Sequence, residues 1–267
     1  MEGGSQTTVE ASLLGQLREE IHLRLAPHRH TTLLAFIIAA FLVRPLVGDS
    51  GAGPLLYSSV MLALLLMALY NIDVDELVGD RGLLLAQKRR RRIVGWALGV
   101  SAIAARLVVT FSPDRSLYLA DSIVWLLLFG FITWNELRAV LKQKEITREV
   151  ISMSISTYLL FGLTFGLFYI ALRDLQPNAF SFGSGVPLTE QQVIPVMIYF
   201  SLTTLSTIGF GDITPITLQA RYAAVAEGIT GQFYLAILVA RLVGMQMTQS
   251  PTQHAEQKAF ESDTETK

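Results

Sequence analysis

The chain has no cysteine, which excludes disulfide cross-links and thiolate metal centres and leaves the redox compartment unread. Charge is scarce too. Lys, Arg, Asp and Glu make up 16% of the 267 residues, against 51% hydrophobic residues and a mean hydropathy of +0.45. An ordinary soluble domain of this length is less apolar, so the composition reads as an integral membrane protein. The net charge of -1 carries no message about an acidic or basic partner, because in a membrane chain the placement of Lys and Arg matters more than their sum. The first thirty residues have no apolar core of signal-peptide type, and no cleaved leader is expected. No catalytic constellation stands out either. The run Ser181-Phe182-Gly183-Ser184-Gly185 has no partner histidine nearby, so neither an enzymatic activity nor a cofactor is expected.

What is present is a series of six apolar segments, Thr32 to Val47, Pro54 to Ile72, Ile93 to Phe111, Leu117 to Trp134, Val150 to Leu172 and Tyr222 to Met245. Each approaches the length of about 20 residues that a bilayer-spanning helix needs. Their connections alternate in charge: Lys88 to Arg92 falls between the second and third, and Arg138, Lys142, Lys144 and Arg148 between the fourth and fifth, while Gly48 to Gly53 has no basic residue. The positive-inside rule then places the basic loops and both ends of the chain in the cytoplasm. Organisation follows from this: a cytoplasmic segment over 1–30 with an amphipathic helix at Ala11 to Leu25, a four-helix transmembrane domain over 31–145, a fifth-to-sixth-span unit over 146–248, and a polar tail over 249–267 expected to be disordered. The fold class is an all-α membrane protein.

Between the fifth and sixth spans the chain turns apolar again from Val193 to Leu205. At about 1.5 Å per residue this is too short to cross a bilayer but fits a half-membrane, re-entrant helix. It leads into Thr203-Thr204-Leu205-Ser206-Thr207-Ile208-Gly209-Phe210-Gly211-Asp212. Successive carbonyls in such a run point the same way only if alternate residues take backbone angles closed to most side chains, which glycine takes at little cost.

This Thr-x-Gly-aromatic-Gly loop resembles the filter of the potassium channel superfamily. Pro215, Arg221 and Gly228 or Gly231 follow it at the spacings at which that family has its proline, arginine and hinge glycine. The resemblance is motif-level over about Ile146 to Met247 and rests on topology alone before that. It implies a homotetramer in which Thr207, Ile208, Gly209 and Phe210 offer oxygens to a dehydrated K+, with Gly211 closing the loop. It also implies filter support from Thr203, Thr204 and Asp212. Where the family often has two pore-helix tryptophans, this chain has Tyr199 and Phe200, so a polar Tyr199/Asp212 contact and an apolar Phe200/Phe210 contact are expected. Ser206, Gln232 and Leu235 become cavity candidates. Gly228, Gly231 and Glu227 become hinge or gate candidates, with a tight helix contact as the equally physical reading of Gly231 and a structural tether as the preferred reading of Glu227.

The fourth apolar segment holds no basic residue, so a conventional voltage sensor is absent. The run Lys88, Arg89, Arg90, Arg91 and Arg92 reads first as a topological anchor, next as a site for anionic lipid headgroups, and last as a nucleic-acid contact, which its position between two spans disfavours. His28 and His30 read as solvated flank residues rather than metal ligands. The functional expectation is passive potassium conduction in a bacterial inner membrane. A weakly selective cation channel and a non-conducting scaffold or sensor subunit on the same fold are the rivals.

Overall fold

A computed structural model describes residues 29–47, 63–71, 85–111, 114–143, 145–183 and 190–265. The helix expected at Ala11 to Leu25, His28 and most of the second apolar segment lie outside them. Seven helices are seen: α1 (Arg29–Val47), α2 (63–71), α3 (Leu85–Phe111), α4 (Arg115–Lys142), α5 (Arg148–Leu175), α6 (Glu190–Leu205) and α7 (Leu218–Glu265). Among the described residues four helices are long and apolar enough to cross a membrane, over Arg89–Val109, Ser116–Lys142, Arg148–Leu175 and Leu218–Gln246. Two shorter apolar helices cover Arg29–Val43 and Gln192–Leu205.

Two departures from the sequence reading are local. Strands β1 (Phe180–Phe182) and β2 (Ile213–Pro215) pair antiparallel, Ser181 opposite Thr214, so the chain is not purely helical. The ribbon is too short to show an alternating pattern, yet it ties the segment after Asp212 back to the loop before α6. Helix α7 also runs through residues 249–265, where composition suggested a disordered tail. That stretch carries several Glu, Gln and Ala residues, all of high helix propensity.

Helix α5 is the centre of the packing. It begins at an N-cap, Thr147, whose side chain accepts from the Val150 N–H at 3.3 Å, with Glu149 in the first turn, a charge that suits the positive end of a helix. On one side α5 packs against α1 and α4, where Leu33, Ile37, Leu128, Ile132, Leu160 and Leu163 are buried together. On the other it receives α6. Gly162 and Gly166, one turn apart, make that approach possible: a Cβ on Gly162 would lie 2.5 Å from Leu202 Cδ2, and one on Gly166 3.0 Å from the Ile198 Cα. Small residues at this spacing let two helices touch along their backbones.

Helix α7 is the opposite case. Only 11% of its apolar window is buried, against 56% for α5. Tyr222, Val225, Ile229, Phe233 and Ile237 are exposed along it. So large an apolar surface on one chain marks a face for other protein or for lipid.

Candidate functional site

The segment from Thr207 to Gly211 has positive φ at every second residue: 60° at Thr207, 53° at Gly209 and 79° at Gly211. Gly209 and Gly211 adopt these angles without steric cost, whereas Thr207 is a non-glycine held there by its neighbours. The hold is visible. Ile208 N and Gly209 N both donate to the Thr203 carbonyl, at 2.9 and 3.1 Å, and Thr207 N donates to the Thr204 carbonyl at 3.0 Å. Thr203 and Thr204 in turn bond the Phe200 carbonyl through their hydroxyls at 2.9 and 2.8 Å. The Ser206 hydroxyl turns back to the Leu202 carbonyl at 2.7 Å. All of Thr207 to Asp212 is exposed in the single chain. Among the described residues, none donates a hydrogen bond to the carbonyls of Thr207 to Phe210.

The outer end of this segment is fastened by side chains. Tyr199 Oη donates to Asp212 Oδ2 at 2.9 Å, and Asp212 Oδ1 accepts from Ile213 N at 3.1 Å. The Asp212 carbonyl accepts from Gly183 N at 2.8 Å, extending the ribbon. Arg221 Nε reaches the Pro215 carbonyl at 3.2 Å. Removing the Tyr199 hydroxyl in Tyr199→Phe should cost about 0.5–1.5 kcal/mol per chain. Thermal unfolding in detergent should show the loss, and a midpoint equal to that of wild type would remove Tyr199 from the support.

The expected Phe200/Phe210 contact is not made within the chain. Phe210 stacks on Tyr199, with ring centroids 6.3 Å apart and planes 4° apart, and stays 68% exposed. Phe200 instead meets Tyr169 at 5.0 Å and Phe180 at 5.4 Å, edge to face. Consecutive helix residues point about 100° apart. With Tyr199 aimed at the filter segment, Phe200 must face α5 and the ribbon.

Behind the segment lies a fully buried carboxylate. Glu227 has no exposure. Tyr169 Oη donates to its Oε2 at 2.6 Å, and a short contact joins Ser201 Oγ to Oε1. Ser201 Oγ also bonds the Gly162 carbonyl at 2.7 Å. One cluster thus joins α5, α6 and α7 behind the segment from Thr207 to Gly211. The sequence suggested a structural tether at Glu227 but carried no sign of Tyr169. Four residues on, a Cβ at Gly231 would stand 2.5 Å from the Leu205 carbonyl oxygen, while one at Gly228 would find ordinary space, 3.8 Å from the Thr204 carbonyl. Gly231 is therefore a close-contact glycine.

Comparison with known proteins agrees with this geometry. Residues 155–247 match the model of a family described as ion channel. A cyclic nucleotide-gated potassium channel of Rhizobium etli is 30% identical over 199 residues, 72% of this chain and 49% of that protein. Both matches support the potassium channel superfamily. The chain spans about half the length of the curated relative it matches. The channel family and the apolar helices together support an integral, multi-pass membrane protein.

The remaining candidates lie apart from Thr207 to Gly211. Gln232 and Leu235 are exposed on α7. Arg89, Arg90 and Arg92 are exposed on α3 and Arg91 half-buried; the Lys88 side chain is outside the described residues. His30 is not a solvated flank residue. It is 3% exposed, with Nδ1 3.5 Å from Glu136 Oε2, and its backbone N–H donates to Glu149 Oε2 at 3.2 Å. Its place at the start of α1, packed on α4 and α5, buries it. Among the described residues no group of three metal-ligating side chains occurs. Arg106 pairs with Asp121 at 2.9 Å, so these two charges on α3 and α4 neutralise each other. One tie that the sequence did not show is made by Arg241. Its guanidinium donates to the Val140 and Leu141 carbonyls at 2.6 and 2.9 Å and bonds that of Gln143, closing the C-terminus of α4, where a cation is favoured.

Proposed function

We propose that the protein is a homotetrameric potassium-selective channel with six spans per chain, in which α6 re-enters the membrane and Thr207 to Gly211 form the filter. One observation carries this reading: the alternation of φ at Thr207, Gly209 and Gly211. It turns successive main-chain oxygens to one side of a strand that has no partner for them among the described residues of its own chain. Such a strand is useful only around a shared axis. Each chain supplies one oxygen to each layer, and four chains close a ring around a potassium ion. The exposed face of α7 supports the same assembly, because it offers the apolar surface that neighbouring subunits would cover.

In this reading K+ is the permeant ion and no cofactor or chemical step is needed. Thr207, Ile208, Gly209 and Phe210 bind the ion. Tyr199, Thr203, Thr204 and Asp212 hold the strand, with Phe200 behind them. The domain over 31–145 surrounds the pore unit at 146–248 without gating charges. The basic residues Lys88 to Arg92 lie at the cytoplasmic face, where anionic lipid headgroups meet them, and no nucleic-acid role is assigned. Both termini are cytoplasmic, and the membrane is a bacterial inner membrane. The gating ligand in the relative's name belongs to that protein.

A weakly selective cation channel is the second reading, and a specific observation favours it. Phe210 has no hydroxyl, so among the described residues Tyr199 to Asp212 is the one hydrogen bond between side chains that holds this end of the filter. A looser filter discriminates less. Purified protein in liposomes is expected to be tetrameric by native mass measurement and to pass K+ down a gradient. A tetramer without flux would favour a non-conducting scaffold, and a monomer or dimer would end the proposal.

A further inference from the structure

Where α3, α4, α5 and α6 meet, a cavity of about 50 Å3 opens beside the pair of Arg106 and Asp121. One wall is apolar, made by Leu167 and Ile170 of α5 and by Val193 and Ile194 of α6. The opposite wall is the beginning of α4, with Asp121, Ser122 and Trp125. Helix α5 leads from here into β1, whose partner β2 follows Asp212, so the cavity lies at the Asp212 end of the chain. A space of this size is too small for a drug-sized ligand but has room for a few waters.

Asp121 is the group this space acts on. It is 3% exposed, and its Oδ2 takes the Arg106 guanidinium at 2.9 Å. Neither its Oδ1 nor the Trp125 N–H one turn on completes a hydrogen bond of normal geometry among the described residues. Buried polar atoms left in that state are costly, and water in the cavity would satisfy them. Arg106 is the cover. Its side chain is 44% exposed, against 5% for that of Asp121, and its guanidinium lies 5.8 Å from the centre of the Trp125 ring. A long basic side chain placed so can swing its head to solvent while its stem stays on apolar surface.

The other ionisable groups at the cavity are few. Helix α5 brings Arg173 and Asp174, 3.4 Å apart, α4 adds the Tyr118 phenol, and α6 contributes only its two apolar residues. Two guanidiniums therefore balance two carboxylates, and the balance holds only while Asp121 is ionised. A proton on Asp121 would leave Arg106 without its counter-charge. Beside it, Ser122 Oγ donates to Asp174 Oδ2 at 2.8 Å, a tie from α4 to α5 that starts one residue from Asp121. Helix α5 in turn carries α6, which ends in the segment from Thr207 to Gly211.

We propose that this cavity is a site for protons from the outer solution: a proton entering past Arg106 neutralises Asp121, frees the guanidinium to solvent, loosens α4 from α5 and α6, and so lowers conduction. The site rests on the channel reading above, with Asp212 on the outer side. In single-channel recordings, taking one chamber at a time from pH 7.5 to 4.5 is expected to cut open probability about threefold, and from one chamber only. Asp121→Asn cannot take up the proton, so it should show the low value already at pH 7.5 and ignore acid from either chamber. Ser122→Ala breaks the tie to Asp174 but leaves Asp121 in place, so it should lower open probability about twofold and keep a response to acid. A second measurement needs no change at Asp121. With Trp96 and Trp134 replaced by Phe, Trp125 is the sole indole, and its emission is expected to change over the pH range in which the current falls. Conducting wild-type channels that ignore acid, an Asp121→Asn variant that keeps the full response, or Trp125 emission that stays flat would each overturn this site alone. Wild-type protein that carries no current at any pH would overturn the parent reading and this one together.

Discussion

Gly231→Ala is expected to reduce K+ flux by about tenfold or more, whereas Gly228→Ala should conduct almost as wild type does. The contrast comes from two glycines three residues apart on one helix. An added methyl at position 231 would sit 2.5 Å from a main-chain oxygen, that of Leu205, and 2.9 Å from the Leu205 Cδ1. A side chain could swing aside, but a carbonyl moves only with its backbone, and overpacking of this kind costs about 1–3 kcal/mol at each site. Here the displaced backbone is the end of α6, two residues before Thr207, and its carbonyl also accepts from Tyr158 Oη at 3.3 Å. The strain would pass straight into Thr207 to Gly211, in every chain of the proposed tetramer. At position 228 the nearest foreign atom is 3.8 Å away, an ordinary contact. If α7 instead bends at Gly231, both alanines would alter open probability while leaving the unitary current intact. Single-channel recordings separate the two outcomes.

Glu227→Ala should have the largest effect on stability. The substitution strips the acceptor from the buried Tyr169 hydroxyl, leaves Ser201 with the Gly162 carbonyl, and opens a cavity where α5, α6 and α7 meet. An unsatisfied buried polar group costs about 1–3 kcal/mol, so about that much per chain is expected from Tyr169 before the cavity is counted. Thermal unfolding in detergent is the measurement. Glu227→Gln should fall much closer to wild type, because an amide still accepts from Tyr169 and meets Ser201. An alanine variant as stable as wild type would show that the cluster holds nothing.

How much of this was legible in the chain depends on how local the cause is. The φ alternation of Thr207 to Gly211 and the tie of Asp212 to Tyr199 were readable, since glycine spacing dictates the first and the two tied residues are only thirteen apart. The direction of Phe200 was misjudged, although helix geometry alone separates two consecutive side chains by about 100°. The close approach of α6 to α5 had a signal that was passed over, the pair Gly162 and Gly166. Other features had none. Tyr169 reaches Glu227 across 58 positions, and Arg241 reaches the end of α4 across about 100. Such contacts exist only once the helices are packed. His30 looked solvated because its neighbours in sequence are polar, yet its neighbours in space are α4 and α5. The strands β1 and β2, three residues each, are too short for any periodicity to register.

The central claim is that the main-chain oxygens of Thr207 to Phe210 select a dehydrated potassium ion. The reversal potential of purified, reconstituted protein between K+ on one side and Na+ on the other tests it most directly. A reversal close to the potassium equilibrium potential is predicted, and a reversal near zero would contradict it.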